Sequence, residues 1–385
     1  MSLAHESYAP LRGRLVTPVT VILALLTLPA AWFLLQRFIY GMGAVSNLNN
    51  GQAWGIWIVF DVLIGTAFAC GGYALALLVY IFNRHEYHPL MRPAVTASML
   101  GYALGGAAVI VDLGRWWNFW HLLWPGYANV NSVMFEVGVC ITIYVFILML
   151  EFAPIALERF GLMKWKKLLN KVMFAVIALG VLLPSMHQSS LGSMLIVMGG
   201  QVHPLYQTVL LPLLYVLSAL AMGYAIVIFE GTISGEGFRL PRETPLLAKV
   251  GRVLAWVVLA WLVIRFADLA WRGVLPLAFQ PGRVSTMFWI EIALYAMAVL
   301  ILFIPSLRKI PCMLFIAAAS MLAAASLYRI DSYFVAYNPG DQIHYFPSIP
   351  EMSITIGIAS FEILAFIILV RLFPVFPAHG KSKAA

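Results

Sequence analysis

Apolar stretches of roughly 20 residues, the length that carries a helix across a bilayer, recur from one end of this 385-residue chain to the other. They constrain the fold more than any other feature. Hydrophobic residues make up 62% of the sequence and charged ones 10%, against about half and a quarter in a soluble domain. A single globular core of this size cannot hide so much apolar surface. The reading is an all-α polytopic membrane protein of about ten helices. They are placed at 16–40, 53–82, 94–119, 132–158, 168–190, 204–230, 248–271, 285–305, 309–332 and 350–373, separated by Pro and Gly punctuation such as Pro125-Gly126, Pro281-Gly282 and Pro339-Gly340. Arg12 and Arg14 precede the first run as in a signal peptide, but Val16 to Tyr40 is too long for a signal core, so it reads as a retained span.

Most of the 24 lysines and arginines fall in the N-terminus, the even-numbered connections and the tail. Arg84 and Arg92, Arg159 to Lys171, Arg239 to Arg252, Arg308 with Lys309, and Arg371, Lys381 and Lys383 form that set. Positive residues stay cytoplasmic, so both termini are expected inside and the bare odd connections outside. The net charge of +8 is thereby a topology signal, and nucleic acid is not an expected partner. The whole chain, 1–385, reads as one integral membrane domain. Ser132-Val133-Met134-Phe135-Glu136 opens the fourth helix and Ser285-Thr286-Met287-Phe288, with Glu291 beyond, opens the eighth. This faint repeat points to two four-helix bundles, helices two to five (53–190) and six to nine (204–332), with helices 16–40 and 350–373 peripheral.

An ionisable group inside a span is costly and marks function. By the charge-derived orientation, Trp54, Trp57 and Asp61 in helix two, Asp112 and Arg115 closing helix three, Glu136 opening helix four, and His187 and Gln188 closing helix five share one level near the outer face. Asp61, about two turns into helix two, has no easy alternative because an unpaired carboxylate there is costly; most of the others have a plainer explanation alone. Asp112 and Arg115 are spaced to pair, Glu136 suits a helix N-terminus, and His187 with Ser189 and Ser190 suits a cap. Trp116 to Asn131 is expected along the membrane surface, and Trp120 and Trp124 fit an interfacial belt. Trp54 and Trp57 are spaced to wall a flat aromatic ligand. With His203 just before helix six at the same level, the convergence of five helices favours a site, and its chemistry suits a quinone, whose oxygens take hydrogen bonds and protons. His187 and Asp61, with Glu136, are the candidate proton donors and relays; Glu151 and Glu362 lie deeper as a candidate proton path.

A haem normally needs two axial histidines on facing helices. Of His5, His85, His88, His121, His187, His203, His344 and His379, only His187 is well inside a span, which disfavours haem. Cys70, Cys140 and Cys312 are scattered, without the spacing of an Fe–S or zinc site, and no metal site is expected. A b-type haem cytochrome and a proton-coupled secondary transporter remain the alternatives; the latter would place its charge at the midplane.

The segments NNGQAWGIWIVFDVLIGTAFACGGYALA, YHPLMRPA, NVNSVMFE, EFAPIALERFG, LNKVMF, LLPSMHQSSLGS and VIFEG, in this order over roughly residues 15–375, resemble the NrfD/polysulfide-reductase membrane-subunit family, in its branch that serves periplasm-facing nickel–iron hydrogenases of the hydrogenase-2 type. The resemblance implies a subunit of a hydrogen:quinone oxidoreductase in the bacterial cytoplasmic membrane. It implies menaquinone or ubiquinone as cofactor, with no haem or Fe–S cluster on this chain. The implied partners are a periplasmic ferredoxin-like Fe–S subunit and the hydrogenase large and small subunits. The family's quinone pocket lies in the bundle that corresponds to helices two to five, which implies the neighbourhood of Trp54, Trp57, Asp61, Asp112, Arg115, Glu136, His187 and Gln188.

Overall fold

The computed structural model describes residues 8–377 except Ala53, Arg242, Asp341 and Gln342; His5, His379, Arg242, Lys381 and Lys383 lie outside them. Among the described residues, ten helices are long and apolar enough to span a membrane: α1 (Pro18–Tyr40), α2 (Trp57–Ile81), α3 (His85–Asp112), α4 (Val133–Arg159), α5 (Met173–Gln201), α6 (Leu211–Gly237), α7 (Thr244–Trp271), α8 (Arg283–Phe303), α9 (Pro311–Val335) and α10 (Ile349–Leu372). The chain is a multi-pass, all-α integral membrane protein.

Two closed rings of helices make up the body. In one, α2 packs on α3, α3 on α4, α4 on α5, and α5 back on α2. In the other, α6 packs on α7, α7 on α8, α8 on α9, and α9 back on α6. The rings join where α5 and α2 meet α6 and where α9 meets α2. Helices α1 and α10 pair with each other and lean on α3. Lipid tails are as apolar as leucine, so close backbone approach rather than hydrophobic segregation holds such helices together. Glycine supplies it at the seams. A Cβ at Gly223 of α6 would stand 2.5 Å from the carbonyl oxygen of Cys70 in α2, and one at Gly192 of α5 2.5 Å from that of Leu211 in α6.

The two ends of the described residues meet. Tyr8 and Ala9 pair antiparallel with Phe376 and Pro377. On this face Arg92 bonds Glu158 (2.9 Å) and the carbonyl of Pro374, with its guanidinium over the Tyr8 ring. Lys166 also reaches Glu158, and Lys249 pairs with Glu86. Arg92, Lys166 and Lys249 of the basic connections are thus tied to carboxylates on this face.

Several helix ends differ from expectation. Helix α5 does not stop at residue 190; its regular turns run on to Met198. The hydroxyls of Ser190 and Ser193 bond back to the carbonyls of Met186 and Ser189, so these polar residues sit inside the helix without ending it. Helix α3 ends at Asp112, and Trp116–Leu123 forms a separate short helix, on which Trp117, Trp120 and Leu123 are exposed. Helix α6 begins at Leu211, with Pro212 in its first turn, where a missing N–H costs nothing. Residues 202–210 are a loop instead, tied by the His203 N–H to the carbonyl of Ala336.

Candidate functional site

Helix α2 is irregular at both ends, with π-helical turns over Trp57–Ile64 and Leu77–Ile81. Such wide turns re-aim side chains and recur at functional sites. Here they split the polar residues of α2 between two surroundings.

The first is the middle of the α2–α5 ring. Thr66 gives its hydroxyl proton to the carbonyl of Val62, so its oxygen is left to accept. The Nε2 of Gln188 lies 3.1 Å away and donates to it. The other hydrogen of that amide points at His187 Nδ1, at 3.4 Å. An Nδ1 that accepts leaves the neutral imidazole proton on Nε2. That Nε2 is buried and has no hydrogen-bond partner. His187 is 1% exposed, Gln188 and Thr66 not at all. The Tyr102 ring stands edge-on, 5.8 Å from the imidazole, and Tyr144 a further 4.5 Å from Tyr102. A positioned N–H donor is thus buried beside aromatic rings.

The second surrounding lies between α2 and the peripheral pair. Asp61 is 6% exposed, and its Oδ2 accepts from Thr355 of α10 at 3.3 Å. Trp57 is wholly buried and packs with Val45, Val111 and Ile354. It is a packing residue at the α1–α3–α10 junction, not a wall facing His187. Trp54 is buried with its ring against Tyr333 of α9, 5.5 Å between centroids, where the two rings of helices join.

The expected Asp112–Arg115 pair does not form. Arg115 is exposed beyond the end of α3. The cation beside Asp112 is Arg37 of α1, 1% exposed, which donates from Nε to the carbonyl of Val111 at 2.7 Å and from Nη2 to that of Leu113. The helix stops where Arg37 receives its last carbonyls, so residues 112 and 115 lack the helical turn that pairing needs. Glu136 is half-buried in the first turn of α4. The expected residues therefore do not share one level. Asp112, Arg37 and Glu136 lie at helix ends, whereas His187 stands about three turns before Met198.

Deeper, the Glu151 carboxyl lies against Gly180 of α5, where any side chain would collide. Glu362 of α10 fills the notch left by Gly101 of α3, 2.9 Å from where a Cβ would be. Glu362 is within electrostatic reach of both Asp61 and Glu230 of α6. Glu230 lines a pocket with Ala94, Ser234 and Phe366. Sequence reasoning missed Glu230, although a carboxylate seven residues before the end of an apolar helix was the signal. It also missed Arg37, Thr66 and Tyr102. Glu351 carried a motif: Ser348-x-x-Glu351 is a capping box, and its carboxylate also takes the backbone N–H of Asn47 and the hydroxyl of Tyr345.

Eight spans in two joined rings and a peripheral pair, with a histidine buried in the first ring, define a membrane-embedded protein with a polar interior. The polysulphide reductase NrfD family model matches residues 44–335, and the chain belongs to that family. It is 46% identical, over 98% of each chain, to the probable Ni/Fe-hydrogenase 2 b-type cytochrome subunit of Escherichia coli (strain K12). It is 28% identical to the integral membrane subunit of menaquinone reductase from Nitratidesulfovibrio vulgaris, over 89% of this chain and 87% of that one. It is 24% identical to a selenate reductase subunit from Mesobacillus selenatarsenatis, over 88% and 91%.

Proposed function

We propose that this chain is the quinone-binding membrane subunit of a respiratory nickel–iron hydrogenase complex in the bacterial cytoplasmic membrane. The observation that carries the reading is the Thr66–Gln188–His187 relay, which leaves an unpartnered Nε2–H buried beside the Tyr102 ring. A relative bears the name of a hydrogenase membrane subunit and another that of a menaquinone reductase subunit. Menaquinone or ubiquinone is the proposed ligand, and a ferredoxin-like Fe–S subunit with the hydrogenase large and small subunits the proposed partners. The termini are cytoplasmic in this reading, which puts Asp112, Glu136 and Arg115 on the periplasmic side.

Reduction of a bound quinone would need two electrons and two protons, one at each carbonyl oxygen. His187 would hold one oxygen by a hydrogen bond from Nε2; the proton would come from elsewhere, because a neutral imidazole that gave up its only N–H would be left an anion. Gln188 holds the ring so that this nitrogen and not Nδ1 faces the ligand. Asp61 and Glu136 would supply protons from the nearer membrane face. Tyr102 and Tyr144 connect His187 towards Glu151, and Asp61 connects towards Glu362 and Glu230. These are the two candidate paths to the opposite face, should protons cross the membrane during turnover.

The hydrogenase relative is named a b-type cytochrome subunit. The described histidines do not fit a bis-histidine haem. His85, His88, His121, His203 and His344 stand in connections or short terminal turns, and His187 meets tyrosine rings. Hydrogen-to-quinone turnover in the assembled His187→Ala complex is the test. Loss of quinone reduction with hydrogen-to-dye turnover kept supports the proposal. Unchanged turnover and quinone affinity overturn it.

A further inference from the structure

The second ring, α6–α9, has a buried polar cluster of its own. Glu291 of α8 is wholly buried and Asp331 of α9 is 1% exposed. Both face the hydroxyl of Tyr206, from the loop between α5 and α6. The Tyr206 oxygen lies 3.0 Å from Glu291 Oε2 and 3.4 Å from Asp331 Oδ2. A phenol has one proton to give, and an ionised carboxylate can only accept. Two contacts to two ionised carboxylates would leave one of them oxygen to oxygen with no hydrogen between. A proton on one carboxyl resolves this, because that carboxyl then donates to Tyr206 while Tyr206 donates to the other.

The surrounding charges agree. Arg265 of α7 is wholly buried over the rings of Tyr206 (4.9 Å) and Tyr328 (5.3 Å), and its charge acts on Glu291. The other charged groups are engaged elsewhere. Asp268 accepts from Arg272 and Thr208. Arg329 turns to α6, donating to Ser218 and the carbonyl of Tyr215 with its guanidinium over the Tyr215 ring. Arg265, on which Asp268 also acts, is then, among the described residues, the one cation set against Glu291 and its neighbour Asp331, and like charges this close in a low-dielectric interior do not both ionise. Second oxygens of both acids, all three nitrogens of Arg265, and the hydroxyls of Tyr295 and Tyr328 have no protein partner, so the cluster has hydrogen-bonding capacity for internal water.

We propose that Glu291 and Asp331 form a proton-holding carboxyl pair, bridged by Tyr206 and balanced by Arg265, in the second ring of helices. Tyr206 connects the pair to the membrane face, its backbone N–H bonding the carbonyl of His203. Asp331 connects it to the first ring. It opens the π-helical turn Asp331–Val335, in which Tyr333 touches Trp54 and donates to the carbonyl of Leu191 in α5 at 2.7 Å. A proton gained or lost at the pair is therefore felt four residues from His187, at Leu191. The proton site itself stands without the quinone reading; only its link to turnover rests on it.

Infrared spectra of the membrane-reconstituted complex at neutral pH, in light and heavy water, test the pair in the resting protein. A protonated-carboxyl carbonyl band that shifts in heavy water is expected in the native complex and absent from both Glu291→Gln and Asp331→Asn, since the remaining acid then has no second carboxyl beside it and ionises. Tyr206→Phe keeps the ring packing and is expected to shift that band. Spectra in which both variants lose only ionised-carboxylate bands overturn the proposal. If those variants fail to assemble, an unshifted band in Tyr206→Phe overturns it equally.

Discussion

Gln188 Nε2 stands 3.1 Å from Thr66 Oγ1, tying the middle of α5 to the middle of α2. Because Thr66 has already given its proton to Val62, the direction of this bond is fixed, and with it the tautomer of the neighbouring His187. Losing one positioned hydrogen-bond donor costs about 10²–10³-fold in rate. His187→Ala is expected to lower hydrogen-to-quinone turnover by at least the lower of those factors, with dye-linked turnover kept. Thr66→Val, which frees Gln188 to rotate, is expected to lower it by a smaller factor. Equal activity of Thr66→Val and native complexes would separate the relay from the histidine.

Arg37 closes α3 from a different helix. Removing it orphans the carbonyls of Val111 and Leu113 beside the Asp112 carboxyl. Hydrogen bonds to a charged group are worth about 1.5–3 kcal/mol each, so Arg37→Met is expected to lower thermal stability in detergent clearly. Adding Asp112→Asn to Arg37→Met is expected to recover part of the loss, because the neutral amide no longer lacks a cation. A strictly additive double variant would show that the two residues do not interact.

Gly223 and Gly192 set the spacing between the two rings of helices. Overpacking a tight interior costs about 1–3 kcal/mol, and here the obstruction is backbone, which cannot rotate away. Gly223→Ala and Gly192→Ala are each expected to reduce melting temperature and yield. Gly235→Ala, also in α6 but with open space around it, is expected to leave stability level or raise it by up to about 1 kcal/mol. Thermal unfolding of the three variants side by side decides the matter.

Ser348 and Glu351 start α10. Ser348 caps the Glu351 N–H and also donates to the carbonyl of Val45. Ser348→Ala is expected to cost about 1 kcal/mol. Glu351→Ala is expected to cost more, because it releases the N–H groups of Asn47 and Ser348 and the Tyr345 hydroxyl together. Limited proteolysis of the connection between α1 and α2 reads the loss, and uncut protein in both variants would remove the clamp from the account.

The sites missed in the sequence were missed for particular reasons. Arg37 sits near the end of an apolar run, where a membrane-surface arginine looks the same, and only folding brings it to Asp112. Glu291 was noticed as part of a repeat, but its partners Tyr206, Arg265 and Asp331 come from three other segments. His187 was placed at a helix end because a run of serines usually punctuates; back-bonded hydroxyls let α5 continue past it.

Taken alone, the sequence determined the class of protein and the number and approximate limits of its spans. Both follow from composition and from the length of apolar chain that a bilayer requires, which are local properties. It also named His187, Asp61 and Glu136, since an ionisable group in an apolar run stands out without any knowledge of its neighbours. Tertiary structure alone decided which of these groups meet. It separated Asp61 and Trp57 from His187, replaced Arg115 by Arg37, and gathered Glu291, Asp331, Tyr206 and Arg265 at one point. Hydrogen bonds and ion pairs act over a few ångströms, and which groups come that close depends on how helices remote in sequence rotate and pack.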